Sequence, residues 1–198
     1  MLVRHPKPLC EPGLCYGRLD LECVAEALDT AAVRLAGLAE GCRIVASPAR
    51  RARDLAERLG ADIALDPRLR ELHFGDWEGR RWADLGRETV EAWQRGLPDA
   101  APPNGETLSA MAARCADWLA SLDADGPPVL AVTHAGPIRV IRALIAGEPL
   151  LAYFSVSIPF AEPLAIDVIS RKTSVAASPS PLVGEGRGEG EQRTQTAG

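Results

Sequence analysis

Short apolar runs alternate along this chain with segments whose apolar residues recur at every third or fourth position. The runs are typical of buried strands, and the recurring spacing is typical of amphipathic helices. The pattern predicts strands at residues 1–5, 43–46, 61–65, 128–133, 153–158 and 164–169. It predicts helices at residues 21–38, 49–59, 82–95, 108–122 and 138–145, with Asp20, Ser47 and Thr107 as candidate caps.

The order of these elements predicts the fold class and the domain organisation. Because strands and helices alternate, we expect an α/β three-layer sandwich, with a largely parallel central sheet and helices on both faces. The pattern ends near residue 173, where Gly, Glu, Ser and Pro begin to dominate. Residues 1–172 are therefore predicted to form the domain, and residues 173–198 a disordered low-complexity tail.

Composition and charge narrow the range of partners. The chain has 198 residues, a formal net charge of −5 and a pI of about 5.3, which argues against nucleic acid or an anionic membrane as the partner. No apolar run approaches the ~18–20 residues of a membrane span, and no signal peptide is recognisable, so a cytoplasmic location is expected. The five scattered cysteines are predicted to be free thiols, because their number is odd and no export signal is recognisable. Their spacing matches no common zinc pattern, so no metal site is expected.

Two of the three histidines follow apolar strands directly. His5 comes after the first strand and His134 after the strand at residues 128–133. The carboxyl ends of parallel strands lie at one edge of a sheet, which is where such folds bind their ligands. We therefore expect the two imidazoles to meet there, with Arg4 beside them.

Further residues at the same edge suit a phosphate dianion. Arg50 and Arg51 also follow a strand, and an arginine there, together with Arg4, binds phosphate oxygens well. Backbone N–H groups at the start of the helix after His134, beginning with Ala135, add to this site. A neutral imidazole is a competent nucleophile, and a carboxyl group can protonate the leaving oxygen. Glu71, in an aperiodic segment, is the candidate donor, and Asp76 and Glu78 are the alternatives.

Four blocks of the sequence together resemble the histidine phosphatase superfamily, which includes the cofactor-dependent phosphoglycerate mutases. They are LVRH at residues 2–5, SPARRAR at 47–53, LRELHFGDWEG at 69–79 and VTHAGPIR at 132–139. The blocks lie in the family's order, and the resemblance spans residues 2 to about 170. The resemblance implies a phosphoglycerate mutase-like fold and phosphomonoester hydrolysis without a metal ion or other cofactor.

The resemblance also implies a role for each matching residue. His5 attacks phosphorus and becomes a phosphohistidine, while Glu71 protonates the leaving group. Water then hydrolyses the intermediate. Arg4, Arg51 and His134 hold the charge of the phosphoryl group. In the family's register Arg51, directly before Ala52, matches the phosphate-binding arginine.

Residues 12–20, PGLCYGRLD, are similar to the alpha-ribazole phosphatase branch, which acts late in cobalamin nucleotide-loop assembly. The expected partner is a small phosphorylated metabolite, with alpha-ribazole 5′-phosphate favoured and a broad-specificity phosphatase as the alternative. Phosphoglycerate mutase is disfavoured by the short stretch between Glu71 and His134. A non-catalytic phosphate-binding protein would need one of the chemical residues to be missing. The sequence is compatible with a homodimer as well as with a monomer.

Overall fold

A computed structural model describes residues 1–167, in which a five-stranded sheet lies between two layers of helices. The strands are β1 (Leu2–Arg4), β2 (Arg43–Ala46), β3 (Ile63–Leu65), β4 (Val129–Thr133) and β5 (Pro163–Leu164). The helices are α1 (Ala25–Ala39), α2 (Arg50–Leu59), α3 (Arg87–Arg95), α4 (Leu108–Ala120) and α5 (Ala135–Ala146). The predicted tail, residues 173–198, lies outside the described residues.

The strands are arranged in the order β3-β2-β4-β1-β5. The pairs β3–β2, β2–β4 and β4–β1 are parallel, and only the short edge strand β5 pairs antiparallel, with β1. In the β1–β4 pair, Arg4 lies opposite Thr133. The prediction of a largely parallel sheet is confirmed, and this register brings the residues after the two strands together.

Alternate residues of the central strands pack on opposite faces of the sheet, as the two-residue period of a strand requires. Val3 and Leu130 pack with α1 and α2 on one face. Leu2 and Ala131 pack with α4 and α5 on the other. The predicted three-layer sandwich is therefore confirmed.

The strand predicted at residues 153–158 is wrong. A 3-10 turn occupies Leu150–Tyr153, and the residues after it form no ladder with the sheet. Two arginines bind the backbone carbonyls that a neighbouring strand would otherwise bind. Arg139 Nε donates to Val156 O at 2.8 Å, and Arg4 Nη1 donates to Ile158 O at 2.6 Å.

Helix boundaries follow the prediction with three differences. Helix α1 begins at Ala25 and leaves Asp20 outside it, and the carboxylate of Asp20 instead accepts the N–H of Arg50 at the start of α2. The predicted helix at residues 82–95 divides at Gly86, whose φ of 83° interrupts the helical backbone. Ser47 does not cap α2, whereas Thr107 does cap α4. No helix within residues 1–167 has the length and apolarity to cross a bilayer.

The central strand carries much of the core, which makes Leu130 a direct test of the sandwich. Leu130 is completely buried between the sheet and α1 and α2. We expect Leu130→Ala to lower the free energy of unfolding by about 2–5 kcal/mol, because it leaves a cavity in a close-packed layer. Urea unfolding measures this change. Val33→Ala removes a side chain that is 79% exposed on α1 and should cost less than about 0.5 kcal/mol. Equal losses in the two variants would contradict the described core.

Candidate active site

The two predicted histidines meet at the carboxyl edge of the sheet. The backbone N–H of His5 donates to Thr133 O at 2.9 Å, which continues the β1–β4 pairing past the end of β1. The imidazole centroids of His5 and His134 lie 5.0 Å apart, with the rings inclined at 63°. Both side chains are buried. Strand pairing therefore brings the two rings together, as the sequence predicts.

His5 is held in one tautomer by its neighbours. Its Nδ1 lies 2.6 Å from Pro6 O, and because a carbonyl oxygen only accepts, Nδ1 carries the proton. Its Nε2 accepts from Arg51 Nε at 3.2 Å, so this nitrogen presents its lone pair. Burial, followed by the positive charge of Arg51, lowers the pKa of His5 well below the ordinary 6.5. Both effects favour a neutral imidazole whose Nε2 carries the lone pair.

Arg51 is a fully buried cation that lies against His5. Its Nη1 donates to Leu19 O at 2.9 Å and its Nη2 donates to Gly17 O at 2.6 Å. The segment at residues 12–20 thus supplies the acceptors that hold this guanidinium. Burial lowers the pKa of Arg51, but an arginine starts so far above neutrality that it remains charged. Its third donor, Nε, is directed at His5 Nε2, and a buried charge in this position suits a phosphoryl group.

His134 is fixed by a residue whose role was not predicted. Its Nε2 lies 2.8 Å from the hydroxyl of Ser47, and its Nδ1 is buried without a hydrogen-bond partner within residues 1–167. Burial, followed by repulsion from His5 and Arg51, lowers the pKa of His134 well below 6.5. Ser47 was predicted as a helix cap because it precedes a proline. Its hydroxyl accepts the N–H of Ala49 only at 3.4 Å, and its shorter contact is to His134, 87 residues away in sequence.

Arg4 lies at the same edge but is partly engaged elsewhere. Its Nη1 binds Ile158 O, and its guanidinium stacks on the ring of Phe160 at 3.6 Å from the centroid. The Phe160 ring is also 5.7 Å from that of His5. The Nε of Arg4 is buried and has no partner among the described residues. Two unpartnered nitrogens, Arg4 Nε and His134 Nδ1, therefore lie at one edge of the sheet.

Glu71 reaches the site from its aperiodic segment and meets the start of α5. Its Oε2 accepts the N–H of Gly136 at 3.1 Å, and its Oε1 accepts the N–H of Leu72 at 2.9 Å. The helix begins at Ala135, directly after His134. The first N–H groups of a helix have no acceptor within it, which favours negative charge at this position. The carboxylate and the two imidazoles thus flank one helix terminus.

The two alternative carboxylates lie in other environments. Asp76 accepts both hydrogen bonds of the Asn104 amide, at 3.2 and 2.9 Å, on the surface. Glu78 accepts the backbone N–H groups of Arg18, Leu19 and Phe74. Of the three candidates, only Glu71 hydrogen bonds to the helix that follows His134.

An apolar cavity of about 300 Å³ opens beside Glu71. Sequence reasoning missed it, because its walls come from distant segments. Glu71, Gln94, Gly136 and Arg139 lie on its lining. Its apolar lining consists of Leu72, Phe74, Trp82, Val90, Trp93, Leu108, Met111, Val140, Leu150 and Phe154. A group bound there has aromatic walls and the Glu71 carboxylate for neighbours.

The sheet edge gathers side chains of the types that phosphate ester chemistry requires. The site combines neutral imidazoles, the buried guanidinium of Arg51, the half-buried guanidinium of Arg4 and a carboxylate. Within residues 1–167 no cluster of three or more His, Cys, Asp or Glu side chains is arranged to hold a metal ion. Cys10 and Cys15 are free thiols, as predicted.

Comparisons of sequence and of structure with known proteins point to the same family. A sequence profile of the histidine phosphatase superfamily (branch 1) matches residues 1–177. The glucosyl-3-phosphoglycerate phosphatase of Mycobacterium tuberculosis is 34% identical over 169 residues, which cover 76% of each chain. The adenosylcobalamin/alpha-ribazole phosphatase of Salmonella typhimurium is 34% identical over 116 residues, or 54% of this chain and 57% of that protein. The solved alpha-ribazole phosphatase of Shigella flexneri superposes with a TM-score of 0.69 at 25% identity, over 81% of this chain and 85% of its own.

Gly136 has a steric requirement that can be tested. A Cβ on Gly136 would lie 2.0 Å from Glu71 Oε1. We expect Gly136→Ala to displace the carboxylate and to lower phosphatase activity about 10²-fold, since small misplacements of a reacting group are costly. Gly37→Ala is the matched control, because nothing lies within 4 Å of its Cβ. Steady-state kinetics with a phosphomonoester compare the two, and full activity of Gly136→Ala would contradict the described contact.

The depressed pKa values of His5 and His134 predict how stability depends on pH. Below pH 6.5 the unfolded chain takes up protons that the two buried imidazoles do not accept in the folded protein. The two imidazoles therefore cost no stability well above pH 6.5, and as the pH drops below 6.5 they lower it by up to about 1.4 kcal/mol per pH unit for each histidine. Urea unfolding at about pH 7 and about pH 5 measures this loss.

Variants separate this effect from other titrations. His134→Gln should reduce the dependence to the part that His5 contributes, while His73→Gln should not reduce it, since His73 is a partly exposed histidine. Glu106 and Asp66 also have depressed pKa values, but these change the free energy of unfolding only near and below the ordinary values of 4.5 and 3.8. A free energy of unfolding that stays constant between pH 7 and pH 5 would contradict buried, neutral imidazoles.

Proposed function

The chain belongs to the histidine phosphatase superfamily, and we propose that it hydrolyses small phosphomonoesters through a phosphohistidine on His5. One observation carries the proposal. The Pro6 carbonyl fixes the proton of His5 on Nδ1, so the lone pair of Nε2 lies beside Arg51 and the ring of His134. This is the electronic state that an imidazole needs in order to attack phosphorus.

The first step transfers the phosphoryl group from the substrate to His5. The Nε2 lone pair forms the N–P bond while the P–O bond to the leaving alcohol breaks. Glu71, in its protonated form, donates a proton to that leaving oxygen. Arg51 Nε, which donates to Nε2 in this structure, turns to a phosphoryl oxygen as Nε2 becomes bonded to phosphorus. Arg4 and His134, each with an unpartnered nitrogen at this edge, bind the remaining oxygens, together with the Ala135 N–H.

The second step regenerates the enzyme. A water molecule attacks the phosphorus of the phosphohistidine, and the Glu71 carboxylate accepts its proton. The N–P bond breaks, inorganic phosphate leaves, and His5 returns to its neutral Nδ1–H tautomer. Glu71 thus acts first as an acid and then as a base, as the same group does in other double-displacement hydrolases.

The apolar cavity supports an aromatic leaving group, and alpha-ribazole 5′-phosphate is the substrate that we propose. The cavity adjoins Glu71, where the leaving oxygen must lie, and Phe74, Trp82 and Trp93 contribute to its walls. Planar rings bind well between such side chains, whereas a polyhydroxylated acid would exchange water for few polar side chains there, chiefly Arg139 and Gln94. Relatives named as phosphatases of alpha-ribazole and of glucosyl-3-phosphoglycerate are both 34% identical to this chain, so identity alone does not choose between these substrates.

A substrate panel with the full chain tests both levels of the proposal. We expect kcat/KM to be highest for alpha-ribazole 5′-phosphate, lower for glucosyl-3-phosphoglycerate and 3-phosphoglycerate, with no conversion of 3-phosphoglycerate to 2-phosphoglycerate. His5→Ala should lose at least about 10³-fold on every substrate, and His73→Ala should keep wild-type activity within about threefold. Rapid quenching should trap an acid-labile, alkali-stable phosphoenzyme. A flat profile would reject the substrate, and an active His5→Ala variant would reject the mechanism.

A further inference from the structure

Arg114 on α4 binds the backbone of the segment that carries Glu71. Its Nη1 donates to Arg68 O at 2.6 Å and to Arg70 O at 2.7 Å, and its Nη2 donates to Glu71 O at 3.2 Å. The Arg114 side chain is only 15% exposed. One guanidinium therefore fixes three carbonyl groups within four consecutive residues, including that of the proposed proton donor.

Glu106 completes this arrangement from the other side. It pairs with Arg114 through two bonds, from Nε at 2.8 Å and from Nη2 at 2.9 Å. Its Oε2 also accepts the backbone N–H of His73 at 3.3 Å. Burial acts to raise the pKa of Glu106, but the bonds and charge of Arg114 outweigh it and lower the pKa. The ionised pair thus holds residues 68–73 through both carbonyl and N–H groups.

Neither member of the pair hydrogen bonds to the carboxylate of Glu71. That carboxylate is held by the N–H groups of Gly136 and Leu72, so its place relative to α5 depends on where its own backbone lies. A general acid works only within about 2.6–3.2 Å of the atom that it protonates, and an error of about 1 Å costs on the order of 10²-fold in rate. A buried ion pair is in itself weak evidence for added stability. The hydrogen bonds of the pair instead indicate a role in fixing the backbone of residue 71.

We propose that the Arg114–Glu106 pair is the positioning device that holds Glu71 where it protonates the leaving group. This inference rests on the proposed function, in which Glu71 is the acid. Arg114 reaches the chemistry through the backbone of Glu71, so it is a positioning residue. Loss of Arg114 should therefore slow the hydrolysis of substrates whose leaving group needs a proton, and should leave the attack of His5 on phosphorus unchanged.

Two substrates of similar shape separate these effects. Benzyl phosphate releases an alkoxide that must be protonated, whereas 4-nitrophenyl phosphate releases a stable phenolate that leaves without a proton. Both carry one aromatic ring for the cavity. The ratio kcat/KM reports the steps up to phosphoryl transfer. We expect Arg114→Met to lower kcat/KM about 10²-fold for benzyl phosphate and less than about threefold for 4-nitrophenyl phosphate.

Control variants distinguish positioning from general damage. Arg58→Met removes an ion pair from α2 to Asp29 on α1 and a hydrogen bond within α2 to Asp54 O. It should affect the two substrates equally. Arg114→Lys keeps the charge beside Glu106 but cannot reach all the acceptors, so it should recover part of the loss on benzyl phosphate. If Arg114→Met does not fold, Arg114→Lys replaces it in the comparison of the two substrates.

Glu71→Gln separates failure of this inference from failure of the proposed function. It should show the same selective loss as Arg114→Met, and the double variant should lose little more than Glu71→Gln alone, because both changes remove one step. Equal losses on both substrates in Glu71→Gln would reject Glu71 as the acid. A selective loss in Glu71→Gln combined with an equal loss, or none, in Arg114→Met and Arg114→Lys would overturn the positioning role alone.

Discussion

The parallel pairing of β1 with β4 is the constraint on which the site depends. Its register sets Arg4 opposite Thr133, and the next bond, from His5 N to Thr133 O, carries the pairing into the loop. Because side chains alternate along a strand, a slip of one residue would turn His5 away from His134 and exchange Leu2 and Val3 between the two core layers. The hydrophobic core and the paired imidazoles therefore enforce the same register.

Burial at this edge both costs energy and creates the reactivity. Removing the imidazoles from water lowers the pKa values of His5 and His134 and keeps them neutral. Removing a guanidinium from water is expensive unless its donors find acceptors, and backbone carbonyls supply them. Arg51 binds the carbonyls of residues 17 and 19, and Arg114 binds three carbonyls of residues 68–71. Irregular segments of the chain are thereby fixed against the rigid sheet and helices.

Local patterns predicted the fold and the residues at strand ends, while contacts between distant segments escaped prediction. His5 and His134 are visible in the sequence because each follows an apolar run. Ser47 precedes a proline, which is a local sign of a helix cap, but its hydroxyl binds His134 across the sheet edge. No local signal connects Arg114 with Glu71, or predicts that arginine side chains replace strand pairing at residues 153–158. These features depend on which segments meet, and they are fixed only when the layers pack.

In the proposed mechanism His5 is neutral, carries its proton on Nδ1 and attacks through Nε2. Nitrogen-15 NMR of the histidine side chains measures this state directly in the wild-type protein, with His5→Gln used to assign the signal. The account predicts a protonated-type shift for Nδ1 of His5 and an unprotonated-type shift for Nε2, both unchanged from about pH 8 to well below 6.5, where burial still keeps the ring neutral. An imidazolium at neutral pH, or a ring protonated on Nε2, would contradict it.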